Sequence, residues 1–363
     1  MTEKLNIGIV GAGYWGPNLI RNFSSLPQCH VKTVCDLDKD KLEQIKDLFP
    51  QIDTTTDYRD LTEDTEIHAI AIASPVRTHF PLAKESLLAG KHTLTEKPMA
   101  SSPAECRELI EISESRNLLL MVDHTFIYSS AVRMIKEIVA SGDIGELIYI
   151  SSKRLNLGLF QKDINVTWDL APHDLSIILY VMGTAPVSVN CQGKAHFNPE
   201  IEDVTNMSLE FPNGGFATIH NSWIDPNKVR TMTFVGSKKM IVYDDMEPLE
   251  KIKVYDKRVE PPPHHDPFAE FHYSYGDVYS PYLNQVEPLR SLCRKFLECT
   301  QCQCRSETSG LEALQVVQIL EAATLSLKSQ GCNVGINWEA GLSDDFPGLI
   351  KKECSRCNWR TLG

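Results

Sequence analysis

Glu96-Lys97-Pro98 closes the apolar run HTLTEKP, and Asp169 and His173 stand four residues apart in WDLAPHDLSI. A lysine held at a strand end, partly desolvated and beside a cationic ring, has a lowered pKa and can exchange or donate a proton near neutral pH. Pro98 restricts the residue before it to an extended backbone, which fixes the direction of Lys97. A histidine with a pKa of about 6.5 can take a hydroxyl proton as hydride leaves the same carbon. Pro172 places the start of a helix near itself and leaves Asp169 at its N-terminal edge. Only a helix that begins by Leu170 puts Asp169 and His173 on one face. Read alone, each group has a plainer alternative: a surface lysine after a strand, and a structural histidine with satisfied nitrogens.

Residues 11–16, GAGYWG, point to the acceptor such chemistry needs. They follow an apolar strand and open a helix, so Gly11 permits the tight turn, Gly13 lets the backbone approach a pyrophosphate, and Gly16 allows close packing of helix on strand. The helix N-terminus adds unpaired N–H groups and a positive dipole end. Asp36 lies 20 residues after Gly16 at the end of the second strand. A carboxylate there accepts hydrogen bonds from a ribose diol; the alternative is a cap for the following turn. Leu37, Asp38 and Lys39 follow with no arginine to meet a 2′-phosphate, which favours NAD over NADP. Ser74 and Pro75 close the third strand at the same sheet edge. Thr78 reads as an N-cap with Pro81 in the first helical turn, and His79 as either a cofactor neighbour or a helix-start packing residue.

The elements that must position these residues fall into two regions. LNIGIVG, VKTVCDLD, IHAIAIAS, HTLTEKP and LLLMVDHT are strand-like runs separated by helical stretches, the order of a parallel sheet with helices on both faces. Near Thr125 the rhythm changes. A helix SSAVRMIKEIVASG precedes the strands ELIYISSKRLN, VSVNCQGKAH, TNMSLEFP, GFATIHNSW, VRTMTFVGS and KKMIVYDD, with one helix around HDLSIILYVMG and a hairpin turn at PNGG. The fold class is therefore α/β plus α+β. A Rossmann dinucleotide-binding domain is expected over 1–124, an α+β substrate and oligomerisation domain with a large, mostly antiparallel open sheet over 125–333, and a tail over 334–363. VEPPPHHDPFAEFHYSYGD reads as a loop whose His264 and His265 are exposed or bind metal or substrate. Two helices, VEPLRSLCRKFLECT and SGLEALQVVQILEAATLSLKSQG, follow it.

A length of 363 residues suits two domains, and 42% apolar with 23% charged residues supplies a real core. Lys plus Arg number 36 against 48 Asp plus Glu, a net charge of −12. That balance argues against general affinity for nucleic acid or anionic membrane, while leaving room for a locally basic pocket. No apolar run approaches the roughly 20 residues of a membrane span. Eleven cysteines at irregular spacing, behind an opening MTEKLNIGIV without signal character, suit a reduced, cytoplasmic protein. Cys299, Cys302 and Cys304, with Cys354 and Cys357, could supply the roughly four ligands of a zinc site if the two fragments met. Nothing local brings them together, so free thiols and no metal are expected.

GAGYWG, Asp36, ASPxxxH, EKP and DxxxH stand in the order and spacing of the glucose–fructose oxidoreductase, inositol dehydrogenase and MocA family (Gfo/Idh/MocA), which the chain resembles over about residues 5–330. VDHTFIYSSAVRMIKEIVASGDIGELIYI is similar to the segment joining that family's two domains. The resemblance implies that Lys97, Asp169 and His173 line the substrate pocket, with the histidine as base and the lysine holding the hydroxyl or sharing its proton. It adds Tyr14 and Trp15 as cofactor neighbours, Glu96 as a ribose contact, and a homodimer or homotetramer formed through the second sheet. HTFIY, residues 124–128, departs from the family's basic and aromatic cluster and leaves His124 and Tyr128 there instead. SKRLNLGLFQKDINVTWDLAPHD resembles members acting at C3 of a UDP-N-acetylhexosamine or its uronate. Arg154, Asn156, Asn165 and Trp168 then offer a cation, amides and an aromatic face to such a sugar. Each could equally be structural. The implied activity is an NAD-dependent sugar dehydrogenase, with inositol or free-aldose oxidation, or a dinucleotide-binding regulator without chemistry, as alternatives. A metal-stabilised interaction module built on the cysteine-rich tail is the remaining alternative.

Overall fold

The computed structural model describes residues 4–262 and 270–338. Within them, the chain up to Tyr128 together with Val286–Gln318 forms one compact unit, and Ser129–Gln285 with the described residues from Ile319 onward forms a second. In the first unit the strands β1 (Leu5–Val10), β2 (Cys29–Cys35), β3 (Asp53–Thr55), β4 (Ala69–Ile72), β5 (His92–Thr95) and β6 (Leu120–Val122) alternate with helices α1 (Gly16–Ser24), α2 (Lys39–Leu48), α3 (Arg59–Thr62), α4 (His79–Leu88) and α5 (Pro103–Ser115). The sheet is parallel with order β3-β2-β1-β4-β5-β6. This order reverses direction between β1 and β4, the switch point at which α/β sheets bind ligands beyond their strand ends. Ile7, Ile9, Ile70, Ile72 and Leu94 are buried in its middle, as expected of strands covered on both faces.

Caps place the helices. Asp38 accepts the Asp40 N–H at the start of α2, and Ser102 accepts the Glu105 N–H at the start of α5 while the Glu105 carboxylate accepts the Ser101 N–H. Each satisfies a donor that the first helical turn leaves open. Thr78 does not cap α4, contrary to its reading from sequence: its hydroxyl bonds Ser74 Oγ and the Pro75 carbonyl instead. Strand β3 was not anticipated.

The second unit comprises α6 (Ser130–Ala140), β7 (Leu147–Leu157), α7 (Val166–Met182) and the strands β8 (Ser188–Lys194), β9 (Val204–Glu210), β10 (Phe216–Ser222), β11 (Ile224–Gly236), β12 (Met240–Asp244), β13 (Ile252–Glu260) and β14 (His272–Tyr279). They form a nine-stranded sheet, β14-β13-β12-β11-β7-β10-β9-β8-β15, whose last strand β15 is Val334–Gly335. All its pairings are antiparallel except β7 with β10. The PNGG turn closes the β9–β10 hairpin, with Gly214 at a φ of +80° that favours glycine. Helix α7 lies over β7, β9 and β10.

Three expectations need correction. Helix α7 does not start at Pro172: Asn165 caps it, Val166 is its first residue and Pro172 lies inside it. Most of the described residues in the segment read as a loop from Val259 are sheet, since β13 runs to Glu260 and pairs with β14; His264 and His265 lie outside the described residues. Helix α8 (Pro288–Cys302) groups with the first unit and not with a domain running to residue 333. It packs on α1 through Phe23 and Phe296, with ring centroids 6.1 Å apart, and through Arg21 paired to Glu287. Helix α9 (Gly310–Lys328) follows, and the start of the tail is structured: β15 pairs with β8 and Trp338 Nε1 donates to the Pro186 carbonyl at 2.7 Å. Cys354 and Cys357 lie outside the described residues. Among those described, no group of three or more His, Cys, Asp or Glu could hold a metal ion, and no helix is long and apolar enough to cross a membrane.

Candidate active site

The turn after β1 has the shape a pyrophosphate requires. Gly11 adopts a φ of +96°, and a Cβ there would stand 2.5 Å from the Ala73 carbonyl oxygen. A Cβ on Gly13 would meet nothing within 4 Å, so that residue faces open space where a phosphate can approach the backbone. Asp36 holds the turn in place. Its Oδ2 accepts the Ala12 N–H at 2.7 Å and its Oδ1 accepts the Asp38 N–H at 2.9 Å. A carboxylate has about four acceptor positions, so two remain for a ribose diol. The donor set therefore fits the adenosine half and the pyrophosphate of NAD. Tyr14 is 86% exposed and stacks beside Trp15.

Beyond β4, His79 is buried with both ring nitrogens on carbonyl oxygens, Nδ1 at 2.8 Å from Pro98 and Nε2 at 2.8 Å from Ser74. Burial and the nearby Lys97 push its pKa down. A neutral imidazole donates one N–H at a time, so His79 braces the Ser74 and Pro98 loops against one another and its ring nitrogens face protein. The Lys97–Pro98 peptide is cis.

At the ends of β5 and β6 the structure brings together residues that sequence reading left apart. Asp123, buried, accepts Trp15 Nε1–H at 3.1 Å on Oδ2 and the Thr125 hydroxyl on Oδ1. Glu96 lies within hydrogen-bonding range of Asp123, and its Oε2 accepts the Lys97 N–H at 3.3 Å. Burial, then the charge of Asp123, hold the Glu96 carboxyl well above the usual carboxylate range. Asp123 was missed because no motif marks it; its only signal is an acidic residue directly after a buried strand. His124 is buried with no hydrogen-bond partner on either nitrogen among the described residues, and burial, then Lys97, lower its pKa to about 3. The Tyr128 hydroxyl is shared with Ser306 and Thr308.

In the second unit, Asp169 and His173 lie one turn apart on α7, with Asp169 in its first turn. Trp223, buried, donates its indole N–H to Asp169 Oδ2 at 3.0 Å. Arg154 and Asn156 alternate onto one face of β7, the face that meets α7. Arg154 is engaged there by Asp174 of α7, through Nε at 3.0 and 3.1 Å and Nη2 at 2.7 Å. Asn165 spends its carbonyl on the Trp168 N–H and its amide on Glu202, and Trp168 Nε1 donates to Thr324. Of the four residues offered to a sugar, Arg154, Asn165 and Trp168 thus have structural partners.

Comparison with known proteins bears on the family and the fold. A family model described as "Oxidoreductase family, NAD-binding Rossmann fold" matches residues 5–124, and one described as "GFO/IDH/MocA C-terminal domain" matches residues 132–242. The uncharacterized oxidoreductase YrbE of Bacillus subtilis (strain 168) is 32% identical over 232 residues, which are 61% of this chain and 68% of that protein. The chain spans 56% and 61% of the lengths of two further curated relatives. Among solved structures, a levoglucosan dehydrogenase in complex with NADH and levoglucosan superposes with a TM-score of 0.80 at 19% identity, covering 93% of this chain and 100% of that one. UDP-N-acetylglucosamine 3-dehydrogenase GnnA from Acidithiobacillus ferrooxidans gives 0.75 at 20% identity, covering 90% and 99%.

Proposed function

Because the chain belongs to the Gfo/Idh/MocA oxidoreductases and its first unit is their NAD-binding Rossmann domain, we propose that it is an NAD-dependent dehydrogenase of a sugar carbinol, with C3 of a UDP-N-acetylhexosamine or its uronate as the leading substrate. The observation that carries the reading is the pair Asp169 and His173 on one face of α7, with the Asp169 carboxylate oriented by Trp223. NAD, when bound, supplies the hydride acceptor. Asp36 and the turn of Gly11, Gly13 and Gly16 hold its adenosine and pyrophosphate, and Ser74, Pro75 and Glu96 stand at the strand ends on the other side of the switch point. His173 takes the hydroxyl proton, Lys97 holds the oxygen, and Asn156 and Trp168 belong to the sugar's surroundings. GnnA supports the nucleotide sugar. The levoglucosan dehydrogenase, with the higher TM-score, favours a free sugar as the second reading.

The test has two parts. NAD reduction is measured against UDP-N-acetylhexosamines, their uronates, inositol and free aldoses; turnover confined to free polyols removes the nucleotide-sugar assignment, and no turnover by any sugar leaves a dinucleotide-binding regulator. Lys97→Ala and His173→Ala are then expected to abolish turnover while NADH binding stays nearly intact. Unchanged activity in both variants would sink the assigned roles. A homo-oligomer built on the second sheet is proposed on the face away from α7, where Tyr149 and Phe216 stack 6.2 Å apart; light scattering gives the mass.

A further inference from the structure

Glu96 follows β5 and Asp123 follows the neighbouring β6, with the Asp123 N–H on the Thr95 carbonyl at 2.9 Å, so their carboxyls lie within hydrogen-bonding range where the first unit would receive the nicotinamide half of the dinucleotide. Asp36 at the end of β2 suits the adenosine ribose and the turn after β1 suits the pyrophosphate, so the order β2-β1-β4-β5 carries the rest of the molecule toward the ends of β4 and β5. The two carboxyls are not equivalent. Asp123 receives two donors, Trp15 Nε1–H and the Thr125 hydroxyl. Among the described residues, Glu96 receives only the long bond from the Lys97 N–H on Oε2, and its Oε1 is out of solvent with no donor directed at it. Two carboxylates in contact cannot both ionise without strong repulsion, and a buried carboxyl oxygen without a donor is costly. A proton on Glu96 resolves both conditions: the two donors on Asp123 keep their acceptor, and the Glu96 O–H donates to it as well.

We propose that Glu96 and Asp123 share one proton in the free protein, and that binding of oxidised but not reduced dinucleotide expels it to solvent. The oxidised nicotinamide ring carries a positive charge that favours two carboxylates nearby; the reduced ring is neutral and does not. The step balances as protonated pair plus NAD⁺ going to NAD⁺-bound, doubly ionised pair plus one H⁺. Neither His124 nor Cys293 beside the pair supplies that proton. His124, lowered to about 3, is neutral near pH 7, and the Cys293 thiol on α8 is pushed up by burial, then by Asp123. Among the described residues, Lys97, at the end of β5, is the cation whose charge acts on Glu96.

The inference rests on the dinucleotide reading of the first unit and needs no sugar. Calorimetric titration at pH 7 in two buffers of different ionisation enthalpy counts protons released on binding NAD⁺ and, separately, NADH. The wild-type protein is expected to release about half to one proton more with NAD⁺ than with NADH, and its NAD⁺ Kd to fall by up to about tenfold per pH unit across the range in which only the free pair is protonated. Glu96→Gln and Asp123→Asn each remove one titrating partner, and in both the difference between the two dinucleotides is expected to vanish whatever their affinities. Equal proton counts for the two dinucleotides in the wild type, or a difference that survives in both variants, would overturn the proposal. Equal counts in the wild type overturn the proposal even if a variant does not fold. Sugar turnover that fails while the proton difference persists would count against the substrate reading alone.

Discussion

Arg154→Met separates a guanidinium that holds the second unit together from one that reads a substrate anion. Its nitrogens reach both oxygens of Asp174, and the two side chains are 8% and 2% exposed. Removing one partner of such a pair costs roughly 3–5 kcal/mol, because the other charge stays buried without compensation. Protonation sets a ceiling on that cost. Neutralising a carboxyl of ordinary pKa, about 3.9, takes about 4 kcal/mol at pH 7 and only about 1.5 kcal/mol at pH 5. An aspartate that binds its proton more tightly in the folded variant than in the unfolded chain destabilises more as pH rises, so the defect is largest near neutrality and shrinks on acidification. At about 2–4 °C per kcal/mol for a unit of this size, Tm should fall by roughly 6–16 °C at pH 7, and by less than half as much at pH 5. Melts of wild type, Arg154→Met and the double variant Arg154→Met/Asp174→Leu provide the assay. The double variant should regain most of the loss, since a well-packed apolar pair can replace a buried ion pair at little cost. A loss below about 1 kcal/mol at pH 7, with a raised KM for a nucleotide sugar, would refute the reasoning and return Arg154 to the substrate.

Trp223→Phe keeps the buried ring and removes the N–H that Asp169 accepts. A hydrogen bond to a charged group contributes about 1.5–3 kcal/mol, so kcat should fall roughly 10- to 100-fold with NADH affinity unchanged; a change confined to Tm would make Trp223 a packing residue only. Gly13→Ala adds a methyl to open space in the free protein, so Tm should stay as it is while the NADH Kd rises about tenfold or more, a loss of about 1.4 kcal/mol. Gly11→Ala, which meets the Ala73 carbonyl and a disfavoured φ, should lose stability as well. Equal effects of the two substitutions, by thermal melt and fluorescence titration, would contradict that distinction.

What could be read from the sequence is what each segment decides for itself. The glycine turn, Asp36 and the alternation of the first unit are legible because apolar run, turn and cap lie within a few residues of one another, as at Asp38 and Ser102. Where an element depends on a neighbour, the pattern misleads. Pro172 has the local signature of a helix start, yet Asn165 caps α7 earlier and the helix is held by β7, β9 and β10 beneath it. HYSYGDVY, with Tyr273 and Tyr275 exposed, has no buried face to announce a strand, and it becomes one by pairing with β13 at the edge of the sheet.

The candidate site divides along the same line. Residues that would face a ligand, such as Gly13, Asp36, Lys97 and His173, stand in short motifs because the ligand's own geometry spaces them. Residues that hold these in place are set by sheet order instead. Asp123 reaches Trp15 and Glu96 only because β6 lies beside β5 and the ends of parallel strands converge on one edge. Arg154 reaches Asp174 only because α7 crosses β7. A lone arginine in a segment rich in amides and aromatics resembles a phosphate ligand until its partner is found. A buried cation with a bidentate carboxylate partner is already compensated, and pulling it toward a substrate would strand Asp174 at the cost worked out above. The charged groups that sequence reading assigns to a ligand are therefore the ones whose assignment most depends on finding their partners first.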